Sequence, residues 1–140
     1  MNSIEVTGST KSKRAIAYDA AAWYIKKYMP RMRTLDIEIS LTKLEDGIYG
    51  YCMEGNSNRE FSLEINKNLD LEDFVGTIIH EMIHVKQYAR KELFQDVSGR
   101  TRWKSRWYAT YDTVDYEDQP WEKEAHRLDM KLAKEFLAQY

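Results

Sequence analysis

Hydrophobic and polar positions along this chain recur with two periods, and the switches between them mark its elements. From Arg14 onward, Ile16, Ala20, Trp23, Tyr24 and Tyr28 recur at helical spacing until Pro30, which predicts a first helix. Leu35, Ile37, Ile39 and Leu41 then alternate strictly with polar residues, the period of a half-buried strand. Glu45-Asp46-Gly47 supplies a turn. Residues 48–53 and 61–65 read as two further strands, separated by the turn cluster Gly55-Asn56-Ser57-Asn58. The expected sheet is a small antiparallel meander of three to four strands. Residues 1–13 are small and polar and read as a flexible arm, leaving 14–140 as a single domain.

A second helix is expected from Leu71 to Ala89, with Asp70 as its N-cap and Glu72 and Asp73 suited to the positive end of its dipole. Leu71, Phe74, Val75, Ile78, Ile79, Met82, Ile83, Val85 and Ala89 cover most of its circumference, the mark of a buried helix. Its polar residues, Asp73, Thr77, His80, Glu81, His84 and Gln87, fall on one stripe. Residues 95–119 read as irregular, with a short hairpin around Trp103–Trp107 whose two tryptophans cover the core. Pro120 at a first turn opens a closing helix from about Trp121 to Leu137. The predicted class is α+β: a small antiparallel sheet packed on the second helix, with one helix before it and one after.

Composition narrows the function classes. The chain has 140 residues, 43% hydrophobic and 31% charged, with 10 Tyr, 4 Trp and a formal net charge of −2. That excludes collagen-like and disordered readings, and the slightly acidic balance argues against nucleic-acid binding by bulk charge. The single cysteine, Cys52, excludes an internal disulfide framework and a Cys-rich zinc finger. The most apolar stretch, residues 74–85, is broken by His80, Glu81 and His84, so no membrane span is expected. The opening MNSIEVTGSTKSKR lacks an apolar signal core, and the default compartment is cytoplasmic.

The second helix carries His80-Glu81-Met82-Ile83-His84, an HExxH sequence. Residues four apart lie about 40° apart around a helix, so both imidazoles can share one metal ion. Glu81 lies about 60° beyond His84 by the same count, placed to reach a water at the metal without ligating the ion. Two histidines and a carboxylate in a buried helix must be paired or coordinate something. A zinc hydrolase site takes a third protein ligand, and the closing helix offers Glu122, Glu124 and His126. On its wheel Trp121, Ala125, Leu128, Leu132, Ala133 and Phe136 form an inner face. Glu122 lies toward the middle of that face, Glu124 to its side, and His126 one turn after Glu122. Glu122 is therefore taken as third ligand, with His126 as the alternative.

With these motifs the chain resembles the small zincin metallopeptidases. The residues that carry the resemblance are His80-Glu81-x-x-His84 and, downstream, Pro120-Trp121-Glu122-x-Glu124-Ala125-His126. The Glu-x-Glu-Ala pattern is similar to the closing helix of ImmA/IrrE-like proteins, in which the first Glu is the ligand. His84-Val85-Lys86-Gln87-Tyr88 and the later aromatic residues look like small SprT-like proteins of phages and bacteria. ImmA/IrrE-like chains usually carry Asn or Asp where this one has His126, and SprT proteases use a third His. The resemblance implies a minimal zincin fold over roughly residues 35–137 and a Zn2+-dependent peptidase acting on a peptide or protein substrate. Glu81 would be its general base, and Tyr116, Tyr111 or His126 the donor to the developing oxyanion. It also implies an edge strand that pairs with substrate, for which residues 61–65 are nearest in sequence. The segment Arg100–Trp107 interleaves cations with aromatics as single-strand nucleic-acid binders do, which makes a non-catalytic protein- or DNA-binding module the alternative.

Overall fold

The computed structural model describes residues 1–108 and 115–140. Its elements in chain order are β1 (Ser3–Thr7), α1 (Lys11–Tyr28), β2 (Asp36–Thr42), β3 (Gly50–Glu54), β4 (Glu60–Asn66), α2 (Leu71–Ala89), β5 (Leu93–Gln95), β6 (Thr101–Trp103), β7 (Arg106–Tyr108), a 3-10 turn (Tyr116–Asp118) and α3 (Pro120–Ala138). The class is α+β, with three helices and two small sheets among the described residues.

Residues 1–13 are not a free arm: β1 pairs in parallel with β2, from Ser3 opposite Asp36 to Thr7 opposite Ser40, and Ile4 and Val6 pack half-buried against the core. The next helix begins at Lys11, where the Thr10 side chain accepts from the Lys13 amide at 3.2 Å. The main sheet is not an antiparallel meander either. Its order is β1-β2-β4-β3; β1, β2 and β4 are mutually parallel, and only β3 runs antiparallel, at the edge beside β4. Parallel neighbours need a crossover, which α1 supplies between β1 and β2, while β3 loops to the far edge before β4 enters between.

The inner face of the sheet is built from Ile37, Ile39 and Leu41 of β2 and Phe61, Leu63 and Ile65 of β4, all buried. α2 packs against this sheet, α1 and α3. Asp70 caps it, its Oδ1 accepting from the Asp73 amide at 2.9 Å. Phe74 to Val85 is buried on every side. Each of Ile78, Ile79, Met82 and Ile83 contributes roughly 1.5–3 kcal/mol by leaving water, which offsets the cost of taking His80, Glu81 and His84 inside.

Two glycines set the closeness of this packing. A Cβ on Gly76 would stand 2.6 Å from Met130 Sδ of α3, and one on Gly50 would stand 2.8 Å from the Glu64 carbonyl and 2.9 Å from Thr77 Cγ2. Strand β3 is therefore drawn onto α2, and α3 onto its other side. None of the helices among the described residues is long and apolar enough to cross a membrane.

The hairpin expected at Trp103–Trp107 is present as β6–β7, turned through Lys104 and Ser105 with φ of 45° and 76°, and β5 adds a third strand. One face of this small sheet packs on α3: Trp103 and Tyr108 lie 6.3 Å and 5.7 Å from the Trp121 ring, centroid to centroid. Trp107 does not cover the core as expected. It is 41% exposed, on the outer face beside Phe94 and Arg102, because its register places it one residue out of phase with Trp103.

Candidate metal centre

One turn of α2 separates His80 from His84, and their Nε2 atoms lie 3.2 Å apart. The first turn of α3 brings Glu122 Oε1 to 3.1 Å from each. These three atoms form a nearly equilateral triangle, and all three residues are buried. A tetrahedral ion with bonds of about 2.0–2.1 Å spaces its ligand atoms roughly 3.3 Å apart, so the triangle fits one cation.

The outer nitrogens explain why the triangle faces inward. Asp129 Oδ2 accepts from His80 Nδ1 at 3.1 Å, and Gln87 Oε1 accepts from His84 Nδ1 at 2.7 Å. With the Nδ1 protons given to these partners, both Nε2 lone pairs point at the Glu122 carboxylate. Three acceptors converging in a buried place repel one another unless a metal ion or a proton lies among them. In the protein without a bound cation that role falls to a proton. Burial opposes charging of His80, but hydrogen bonds to Asp129 and Glu122 and the nearby Glu81 charge outweigh it and raise its pKa to about 10. Glu122 moves the other way: burial would raise its pKa, and the two histidines hold it well below the usual carboxylate range.

Glu81 is buried and lines the same cleft. Burial pushes its carboxyl pKa up, His84 and His80 pull it down, and Glu122 pushes it up again, with a net rise. His126 stands outside the triangle. Its ring centroid is 4.5 Å from that of His80, its side chain is 56% exposed, and its Nδ1 is 3.5 Å from Asp129 Oδ2. His126, His80 and Asp129 form a second group close enough to hold a metal, but Glu122 and not His126 meets both helix histidines. Tyr116 donates to Glu122 Oε1 at 2.9 Å and lies 3.3 Å from His126 Nε2. Tyr111, the other tyrosine considered as a donor, lies outside the described residues.

The cleft that holds the centre has a volume of about 800 Å³. Strand β3 borders it through Gly50, Tyr51 and Cys52, and among the described residues no strand pairs with its outer edge. Residues 61–65, expected as the edge beside the site, belong to β4, which is closed on both sides by β2 and β3. Burial, then the charges of Glu81, Glu54 and Glu122, push the thiol pKa of Cys52 well up.

Sequence reasoning missed the roles of two residues. Gln87 stood on the polar stripe of α2, three residues after His84, and that spacing was its signal. Asp129 lies two turns beyond Glu122 on α3, which puts both carboxylates on one face. No family model matches this chain, and no curated protein or solved structure is significantly similar to it.

Proposed function

We propose that this protein is a zinc metallopeptidase of the small zincin kind, resembling SprT-like and ImmA/IrrE-like proteins. The observation that carries the proposal is the buried His80–His84–Glu122 triangle, oriented from behind by Asp129 and Gln87 and opening on a cleft. Two imidazoles and one carboxylate are a donor set suited to Zn2+, and three protein ligands leave a coordination position open. Zinc bound there supplies Lewis-acid chemistry, acidifying a water and polarising a carbonyl.

The chain's own groups do the rest. Glu81, adjacent to the ligands and buried, accepts the proton of the attacking water and returns it to the leaving amine. Tyr116 is 55% exposed, so its hydroxyl can turn from Glu122 toward the oxyanion that develops on the substrate carbonyl. The exposed flank of His126 offers a second donor to the same oxygen. Strand β3, at the edge of the sheet among the described residues, provides backbone groups for an extended peptide. The test is cleavage of unstructured casein by zinc-loaded protein. Glu81→Gln is expected to retain zinc and lose activity by at least about a hundredfold; equal activity in the two proteins refutes the general-base role.

A second reading, a non-catalytic module for single-stranded DNA, is favoured by the outer face of β5–β7. Arg100 lies 4.4 Å over the Trp107 ring and Arg102 5.2 Å over Phe94, and both rings are 41% exposed. Cations and stacking surfaces side by side suit unpaired bases. A salt-dependent gel shift with oligo-dT, lost in Trp107→Ala, supports it; no shift at low salt removes it.

A further inference from the structure

We infer that the cleft holds a specificity subsite, walled by Gly50, Gly76, Thr77 and Met130 and closed by the carboxylate of Asp73, that takes a lysine or arginine side chain of the substrate next to the scissile bond. The inference rests on the peptidase reading and names its substrate class.

Asp73, Gly76 and Thr77 lie seven, four and three residues before His80, so they continue the stripe of α2 that carries the metal ligands. They line the half of the cleft toward the amino end of α2, whereas Tyr88, Leu93 and Trp121 line the half toward its carboxyl end. Gly50, Gly76, Thr77 and Met130 line this half together with Asp73, and the two glycines present backbone and no side chain to it.

The charge of the lining is one-sided. Four carboxylates, Asp73, Glu81, Glu122 and Asp129, border the cleft, and among the described residues no lysine or arginine does. Glu122 and Asp129 are engaged with the histidines, and Glu81 lies beside them. Asp73 differs. Its amide donates to Asp70 and its carbonyl accepts from Thr77 Oγ1 at 2.7 Å, but its carboxylate has no ion pair or hydrogen bond with another described residue. A carboxylate on the wall of a cleft lined by one sign of charge focuses its field on whatever enters.

Length selects the kind of cation. Seven residues of helix place Asp73 about 10 Å along the axis from His80. An extended lysine side chain spans roughly 6 Å, and the ion pair at its tip adds about 3 Å. A basic side chain next to the cleaved bond therefore reaches Asp73, whereas a short polar one does not. An apolar side chain of the same length would leave the carboxylate desolvated and unpaired.

The test uses the zinc-loaded full chain and a mixture of peptides randomised on both sides of a central position. Lysine and arginine are expected to be enriched at one position bordering the cleaved bond. Asp73→Asn should reduce the enrichment by roughly tenfold, and Asp73→Lys should turn it toward Asp and Glu. A second readout needs no turnover: a fluorescein-labelled lysine peptide should bind Glu81→Gln protein roughly tenfold more tightly than Glu81→Gln, Asp73→Asn protein, with a glutamate peptide as control. Cleavage without a basic preference overturns the subsite and leaves the peptidase standing. Binding that depends on Asp73 without cleavage supports the subsite while the peptidase reading fails. If Asp73→Asn only lowers the melting temperature and leaves selectivity intact, Asp73 serves the helix dipole alone and the inference is overturned.

Discussion

Replacing Asp129 by alanine removes the acceptor that holds the Nδ1–H of His80 at 3.1 Å. Nothing in the metal triangle itself is deleted, so any loss of zinc affinity measures the orienting bond. A hydrogen bond to a charged acceptor contributes about 1.5–3 kcal/mol, and loss of such a partner behind a metal-ligating histidine typically weakens metal binding by about 10- to 100-fold. The Asp129 side chain is only 13% exposed, so water replaces the lost acceptor poorly, and the upper part of that range is expected for alanine. An amide in its place still offers an oxygen but no charge, so Asp129→Asn should fall near the lower part. Competition for zinc against a chelator of known affinity, followed at fixed pH, reads both values. Zinc affinity in Asp129→Ala equal to that of the wild type would refute the claim that Asp129 orients His80.

Other expectations follow from the same packing and charges. Gly50→Ala forces a Cβ to within 2.8 Å of a backbone carbonyl, and urea denaturation should show a loss of about 1–3 kcal/mol. The raised pKa of His80, about 10 in the metal-free protein, sets the sign of a pH effect. Its protonated partnership with Asp129, Glu122 and Glu81 stabilises fully below the unfolded value near 6.5 and is lost as pH rises toward 10. The melting temperature of EDTA-treated protein should accordingly fall across that window, and the increment given by added zinc should grow, because zinc displaces the proton. A flat profile in a His80-intact protein would contradict this. Cys52, with its thiol pKa pushed up by burial, should react with a disulfide reagent at about pH 8 far more slowly in the native protein than in urea.

How far the sequence could be read depended on which kind of information each element carries. The second helix was legible because its apolar surround and single polar stripe are one-dimensional patterns, and Leu71 to Ala89 is where α2 runs. Sheet topology was not. Ile37, Ile39 and Leu41 alternate identically whether β2 lies parallel or antiparallel to β4, since alternation reports a buried face and not a direction. In β1 only Ile4 and Val6 are apolar, too short an alternation to stand out in a polar segment, and the pairing with β2 supplies what the pattern lacks. Trp107 was misplaced because a two-residue turn sets its phase, and one residue of register sends it to the outer face. Within the site, residues joined by helical spacing could be found, His80 with His84 above all. The meeting of Glu122 with that pair depends on how α3 crosses α2, which Gly76 permits and no spacing encodes.

The most direct test of the central claim is the zinc content of purified protein and three variants. The account predicts about one equivalent of zinc in the wild type, near-complete loss in His84→Ala and Glu122→Ala, and retention in His126→Ala, because Glu122 and not His126 stands 3.1 Å from both helix histidines. Retention of zinc in Glu122→Ala together with its loss in His126→Ala, or no zinc in the wild type, would contradict it.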